Sequence, residues 1–313
     1  MSSFPADFVV TNEHRRFAEF CDACRRYRYI GLCYGAPGVG KTLSAQCYAN
    51  WFHLQAYASS TMASPAALAT VAGSTTVFYT PEVVHAPRRI AQDIQIKRHQ
   101  LRALAVEAWL WEQRSQLEAK RQREALLPPK KVETPARHKG KVVQIYAEAA
   151  TPAPNLARAY AQQRANAPDP TALIIIDEAD RLKTASLEQV RDIFDHGDLG
   201  MIMIGMPGLE KRLSRYPQLY SRVGFVHAFR PLRGPQLRAL LQAKWTPSGT
   251  ALPEEGVTDE EALAAIIRVT GGNFRLLHRL LTQIARLVEI NMLHTITSEV
   301  VEAARESLVI GTA

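Results

Sequence analysis

Eight residues, Gly35-Ala36-Pro37-Gly38-Val39-Gly40-Lys41-Thr42, limit what this chain can fold into more than any other stretch. They carry the spacing G-x-x-x-x-G-K-[ST], follow the short apolar run Tyr29-Ile30-Gly31-Leu32-Cys33-Tyr34, and lead into a helix-compatible segment from Leu43 to Phe52. A strand, a glycine-rich loop and a helix in that order are the context of a nucleotide P-loop. Each residue type has a physical reason to be there. Glycines let backbone N–H groups turn towards phosphate oxygens, Lys41 is placed to reach the β- and γ-phosphates, and the Thr42 hydroxyl is placed to hold Mg²⁺. The N-terminus of the following helix adds partial positive charge at the same point. ATP with Mg²⁺ is the expected ligand, and the whole loop, Gly35 to Thr42, is its expected cradle.

A second motif supplies the carboxylates that such a loop needs. Leu173-Ile174-Ile175-Ile176 is a continuous apolar run ending in Asp177-Glu178. That pattern predicts a buried central strand delivering acids at its C-terminal edge. In a P-loop protein the two have separate work: Asp177 orients Mg²⁺ or its water ligands, and Glu178 polarises the attacking water. The string Asp177-Glu178-Ala179-Asp180 also invites a helicase reading, but no second half with further nucleotide motifs follows it.

Around these motifs the chain reads as an α/β protein. Residues 4–28 predict an extended lead and a helix capped by Thr11 or Asn12, with Phe17, Phe20, Cys21 and Cys24 on its apolar side. The P-loop unit fills 29–53, and 54–73 reads as a loop with some helix. Further strands are expected at 75–79, 173–176, 201–204 and 221–226, which makes five in a parallel core. A long helix is expected from Arg88 to Leu127, with Pro128-Pro129 ending it, a basic linker, an additional strand at 142–146 and a short helical patch at 155–164. That block, 88–168, looks inserted. After Arg230-Pro231 the periodicity is helical only, at 235–245, 259–269, 274–290 and 297–307. The expected organisation is an N-terminal extension (1–28), a core (29–231) and a small helical domain (232–313).

Charge is unevenly spread. The net formal charge is +8, and Arg88 to Lys141 alone holds fourteen Lys/Arg against six Asp/Glu, the same balance as the whole chain. A local basic excess serves phosphate-backbone binding, and it also serves to solvate a long helix. Four cysteines among 313 residues give no disulfide framework, and Cys21-x-x-Cys24 falls short of a zinc set, so reduced, partly buried thiols are expected. With no signal-like start and no apolar run near the length of a membrane span, a cytoplasmic protein with no membrane contact is expected.

The order of motifs resembles the AAA+ ATPases. Asp177-Glu178-Ala179-Asp180-Arg181-Leu182, Val190-Arg191-Asp192-Ile193-Phe194-Asp195, Ile204-Gly205-Met206-Pro207-Gly208-Leu209, Tyr220-Ser221-Arg222 and Gly271-Gly272-Asn273-Phe274-Arg275 are similar to the DNA-transposition regulators of the TniB/TnsC and MuB type. The resemblance implies that 232–313 is a lid and that Arg222, with Arg215 as a rival, is an arginine finger reaching the γ-phosphate on a neighbouring subunit. It also implies that Arg275 contacts phosphate across the cleft beneath the lid. The expected function is then an ATP-dependent regulator that forms a homo-oligomer on double-stranded DNA, hydrolyses ATP and recruits a transposase. One departure stands out: where many AAA+ proteins carry Asn, Thr or Ser after the fourth strand, Ile204 is followed by Gly205-Met206-Pro207, which implies slow hydrolysis if no other polar side chain substitutes. A replication initiator or helicase loader, and a nucleotide-switched ATPase that binds no DNA, share the same ATP chemistry and remain as alternatives.

Overall fold

The computed structural model describes residues 8–59, 64–84, 86–126, 134–138, 141–145, 156–247, 250–253, 256–257 and 259–308. The chain runs α1 (Asn12–Tyr27), β1 (Ile30–Tyr34), α2 (Lys41–Tyr48), α3 (Trp51–Ser59), α4 (Pro65–Val71), β2 (Thr76–Tyr79), α5 (Pro87–Leu126), β3 (Thr134–His138), β4 (Lys141–Ile145) and α6 (Leu156–Asn166). It continues with β5 (Leu173–Ile176), a 3₁₀ turn at Ala179–Arg181, α7 (Thr184–Asp195), β6 (Gly200–Gly205), α8 (Leu209–Leu213), α9 (Pro217–Tyr220) and β7 (Val223–Ala228). Four more helices close it: α10 (Gly234–Gln242), α11 (Glu260–Thr270), α12 (Phe274–Ile290) and α13 (Ser298–Glu306).

β1, β2, β5, β6 and β7 form one parallel sheet in the order β2-β5-β6-β1-β7, and β3 pairs antiparallel with β4 apart from it. The apolar runs explain the middle of the sheet, because a strand covered on both faces needs apolar side chains at odd and even positions alike. Alternation then assigns the faces. Ile30, Leu32, Ile174, Ile176, Met201 and Met203 pack with α5 and α7, while Cys33, Ile175, Ile202 and Ile204 pack with Phe17, Phe20, Cys21 and Cys24 of α1. All four cysteines are free and buried, and burial pushes the Cys24 and Cys47 thiols up to about 12. α10 to α13 enclose a second core that begins at Leu232 and includes Leu237, Leu263, Ile266, Leu277 and Ile284.

Several expectations shift. Of the two cap candidates for α1, Thr11 serves, its Oγ1 accepting the His14 N–H at 3.1 Å. The stretch 54–73 holds most of α3 and the whole of α4. The fifth strand starts two residues later than expected, at Val223, and its alternating burial marks it as an edge strand covered on one face. Pro128 and Pro129, the linker residues Lys130, Lys131 and Lys139, and residues 151–155 lie outside the described residues.

The largest correction concerns 88–106. The helix is continuous over 40 residues, about 60 Å at 1.5 Å per residue. Its first half does not project from the core but packs into it. Ile90, Ile94, Leu101 and Val106 are 4% exposed or less, and the first three join the core under the sheet, whereas Trp111 is 43% exposed. Sequence period reveals an apolar stripe but not what covers it. Part of the basic excess is paired within the chain: Arg89 pairs with Asp93, Arg98 with Asp169, and Arg102 donates to the Ala165 carbonyl. Replacing Ile94 by alanine is therefore expected to cost about 3 kcal/mol in chemical denaturation, and Trp111→Ala less than about 1 kcal/mol.

Candidate nucleotide site

The P-loop joins β1 to α2 at the C-terminal edge of the sheet. Lys41 Nζ donates to the carbonyls of Gly35 at 2.5 Å and Ala36 at 2.9 Å, so the ammonium rests on the loop that it follows. Burial lowers its proton affinity; the negative charges of Asp177 and Asp180 oppose that, and the positive charge of Arg275 adds to it. Gly40, the cap of α2, brings no side-chain oxygen, which leaves the first-turn N–H groups to an outside acceptor. Phosphate oxygens are acceptors of the kind that this arrangement takes.

Asp177 is 3% exposed. Burial raises its pKa, while hydrogen bonds from the Thr42 hydroxyl and from the Glu178 N–H, 2.9 Å from Oδ1, pull the other way. A buried carboxylate touching a hydroxyl is an oxygen-only pair suited to Mg²⁺. Thr42 and Asp177 would hold that ion, which supplies charge neutralisation for the phosphates. Glu178 sits with φ 49° and ψ 43°, in the left-handed region that a side chain enters at a cost of about 1–2 kcal/mol. Its carboxylate pairs with Arg181, whose Nη1 donates to the Pro81 carbonyl at 2.9 Å.

The helical domain closes directly on the loop. Asn273 caps α12 through Oδ1, which accepts the N–H groups of Arg275 at 3.0 Å and Leu276 at 3.3 Å. Its Nδ2 donates to the Pro37 carbonyl at 2.8 Å, and the Arg275 N–H also reaches the Gly38 carbonyl at 3.2 Å. Gly38 has φ +81°, and a Cβ there would stand 2.5 Å from Asn273 Oδ1 and 2.7 Å from Arg275 Cβ. Glycine is needed at that position both for its conformation and for the closeness of the domain. An apolar cavity of about 190 Å³ opens beside the loop, lined by Phe8, Val9, Phe229, Trp245, Phe274 and His278. Sequence reading had no access to it, because its walls come from five separate parts of the chain; nor did it single out Asn273 as the link between the two cores.

Lys41, Thr42, Asp177, Glu178 and Arg275 are thus brought to one place, and Arg222 is not. The Arg222 carbonyl accepts the Ile30 N–H at 3.1 Å, at the opposite end of β1 from Gly35. Five residues of strand span about 16 Å, at roughly 3.3 Å each, beyond the reach of one arginine. Its guanidinium grips Asp195 with both Nε and Nη2, and Asp195 also binds Arg191 at 2.9 Å. These hydrogen bonds hold the Asp195 carboxyl below its usual range, Arg222 contributing most. Arg215, the rival, is exposed.

A family model described as an AAA domain matches residues 24–213. A Staphylococcus aureus protein named "Potential ATP-binding protein" is 39% identical over 308 residues, covering 97% of each chain. Among solved structures, an arginine-to-alanine variant of Thermotoga maritima RuvB aligns with a TM-score of 0.50 at 13% identity, over 97% of this chain and 72% of that one. Aeropyrum pernix ORC1, solved in complex with DNA, aligns with a TM-score of 0.49 at 16% identity, over 97% of this chain and 68% of that one. At 13% identity the RuvB likeness bears on the fold alone. No helix among the described residues is long and apolar enough to cross a membrane.

Proposed function

We propose, because this chain belongs to the AAA domain family, that it is an ATPase whose nucleotide state times its own assembly on double-stranded DNA, where it presents the DNA to a transposase. The observation that carries the reading is the division of the site. One chain holds loop, acids and the Asn273 contact together, while Arg222 lies at the far end of β1, out of reach of its own loop; the reading assigns it to a neighbour's site. Hydrolysis that needs an arginine from a second copy is conditional on assembly. The triphosphate would lie along the loop, with adenine in the cavity between Val9, Phe229 and Trp245, an apolar enclosure suited to a flat base.

Within that reading each side chain has one task. Lys41 and Arg275 offset phosphate charge, Thr42 and Asp177 hold Mg²⁺, and Glu178 takes the proton of the attacking water after leaving Arg181. The Arg222 guanidinium exchanges Asp195 for a neighbour's γ-phosphate. With no polar side chain on the strand at Gly205, turnover is slow unless a neighbouring side chain takes that place, and slow turnover suits a timer. The exposed basic side chains Arg114, Arg121 and Arg123 of distal α5 are the proposed phosphate contacts. The resemblance of the motifs to the TniB/TnsC and MuB regulators supports the transposase as partner.

Random-sequence duplex is expected to bind with ATP and not without it, and six to ten phosphate contacts would weaken binding by about 10³–10⁵ between roughly 50 and 200 mM salt. Fluorescence anisotropy across a salt series measures both. A nucleotide-switched ATPase that ignores DNA would show no affinity and no salt slope.

A further inference from the structure

One carboxylate that neither phosphate nor Mg²⁺ has claimed reaches the end of the sheet's middle strand. Gly205, the last residue of β6, stands opposite Tyr34, the residue just before the P-loop. On the other side Ile176 pairs with Met203, so Asp177 leaves the sheet beside β6. Into this gap the 3₁₀ turn sends Asp180. Its Oδ2 accepts the Met206 N–H at 2.7 Å, and it occupies space that any side chain at 205 would need: a Cβ on Gly205 would lie 2.5 Å from Oδ2, 3.0 Å from Cγ and 2.9 Å from Leu209 Cδ2. The turn is anchored from behind by Arg212, which donates to the carbonyls of Asp180, at 2.5 Å, and of Leu182. Oδ1 makes no hydrogen bond to any described residue, yet the Asp180 charge acts on the Lys41 ammonium. A rigidly placed acceptor with free lone pairs therefore lies between the Asp177-Glu178 strand end and the P-loop.

We propose that Asp180 is a positioning residue for hydrolysis: Oδ1 accepts one hydrogen of the attacking water, and Gly205 is glycine to make room for it. The inference rests on the ATPase reading given above. In the step, the water oxygen bonds to the γ-phosphorus and the bond from that phosphorus to the β,γ-bridging oxygen breaks, its electron pair leaving on ADP. One water proton passes to Glu178. Asp180 takes none; it holds the second hydrogen, so that a lone pair of the water oxygen faces phosphorus. A polar group missing from the strand is thereby supplied from the turn beside it.

The test is single-turnover hydrolysis of MgATP by the full chain, with ATP affinity and the unfolding midpoint measured in parallel. Asp180→Ala is expected to slow hydrolysis about 100-fold while ATP affinity stays within about twofold. Asp180→Asn keeps an oxygen for the Met206 N–H and so keeps the unfolding midpoint, but it turns a donor towards the water and is expected to slow hydrolysis about tenfold or more. Gly205→Ser added to Asp180→Ala puts a hydroxyl back from the strand side and is expected to regain about tenfold of the lost rate. Hydrolysis near the wild-type rate in Asp180→Asn, or no regain in a double variant that keeps the unfolding midpoint of Asp180→Ala, overturns the positioning role and leaves the ATPase reading intact. A wild-type chain that binds ATP without hydrolysing it overturns both.

Discussion

Replacing Lys41 by alanine is expected to weaken ATP binding by a factor on the order of 100 or more, about 3 kcal/mol, because the phosphates lose their half-buried ammonium partner. The same change leaves the Gly35 and Ala36 carbonyls without the donor that they now have, so the loop itself loses an internal support. ATP-dependent DNA binding is expected to disappear with the nucleotide, while any weak binding seen without ATP is unchanged. Isothermal titration of ATP and anisotropy of a labelled duplex read the two effects separately. Undiminished ATP-stimulated DNA binding in Lys41→Ala would mean that the loop is not what times the assembly.

Glu178→Gln is expected to do the opposite to lifetime. Removing the base costs about 10²–10⁴ in hydrolysis, yet the amide is nearly the same size and no phosphate contact is lost, so ATP affinity is retained. The pair with Arg181 is lost too, but Glu178 is half-exposed, and exposed pairs are worth at most about 1 kcal/mol. With ATP held and not consumed, the DNA-bound assembly is expected to persist many times longer than that of the wild type after excess competitor duplex is added. Equal dissociation of the two would separate hydrolysis from release. Together the two variants place the switch at opposite ends: Lys41→Ala never loads, and Glu178→Gln never resets.

The sheet and the site were legible in the sequence to different depths. β1 and β5 announced themselves because buried parallel strands are apolar without interruption, and each ends in residues of the types that phosphate and Mg²⁺ binding would use. The long helix was legible as a helix but not as core. Ile90 and Ile94 sit on the same kind of stripe as the exposed Trp111, and a periodic stripe does not say which turns another element covers. Gly205 read as a missing polar group, since the residue that fills its place, Asp180, lies on a turn 25 positions earlier and reaches it only in the folded chain. Arg222 was found by likeness of motif alone; its place at the far end of β1 and its grip on Asp195 came from the structure. β7, covered on one face, carried the weaker alternating pattern, and its start was misjudged by two residues.

The claim on which the rest depends is that each ATP site is completed by a second copy, and mixing two inactive variants tests it most directly. Arg222→Ala keeps a complete loop and acids but offers no finger, and Glu178→Gln offers a finger but has no base. Each alone is expected to hydrolyse ATP at a small fraction of the wild-type rate. In an equimolar mixture about a quarter of the head-to-tail contacts pair a working site with a working arginine, so steady-state ATPase is expected to rise to about a quarter of the wild-type rate. A mixture no more active than the average of its two components would contradict the account.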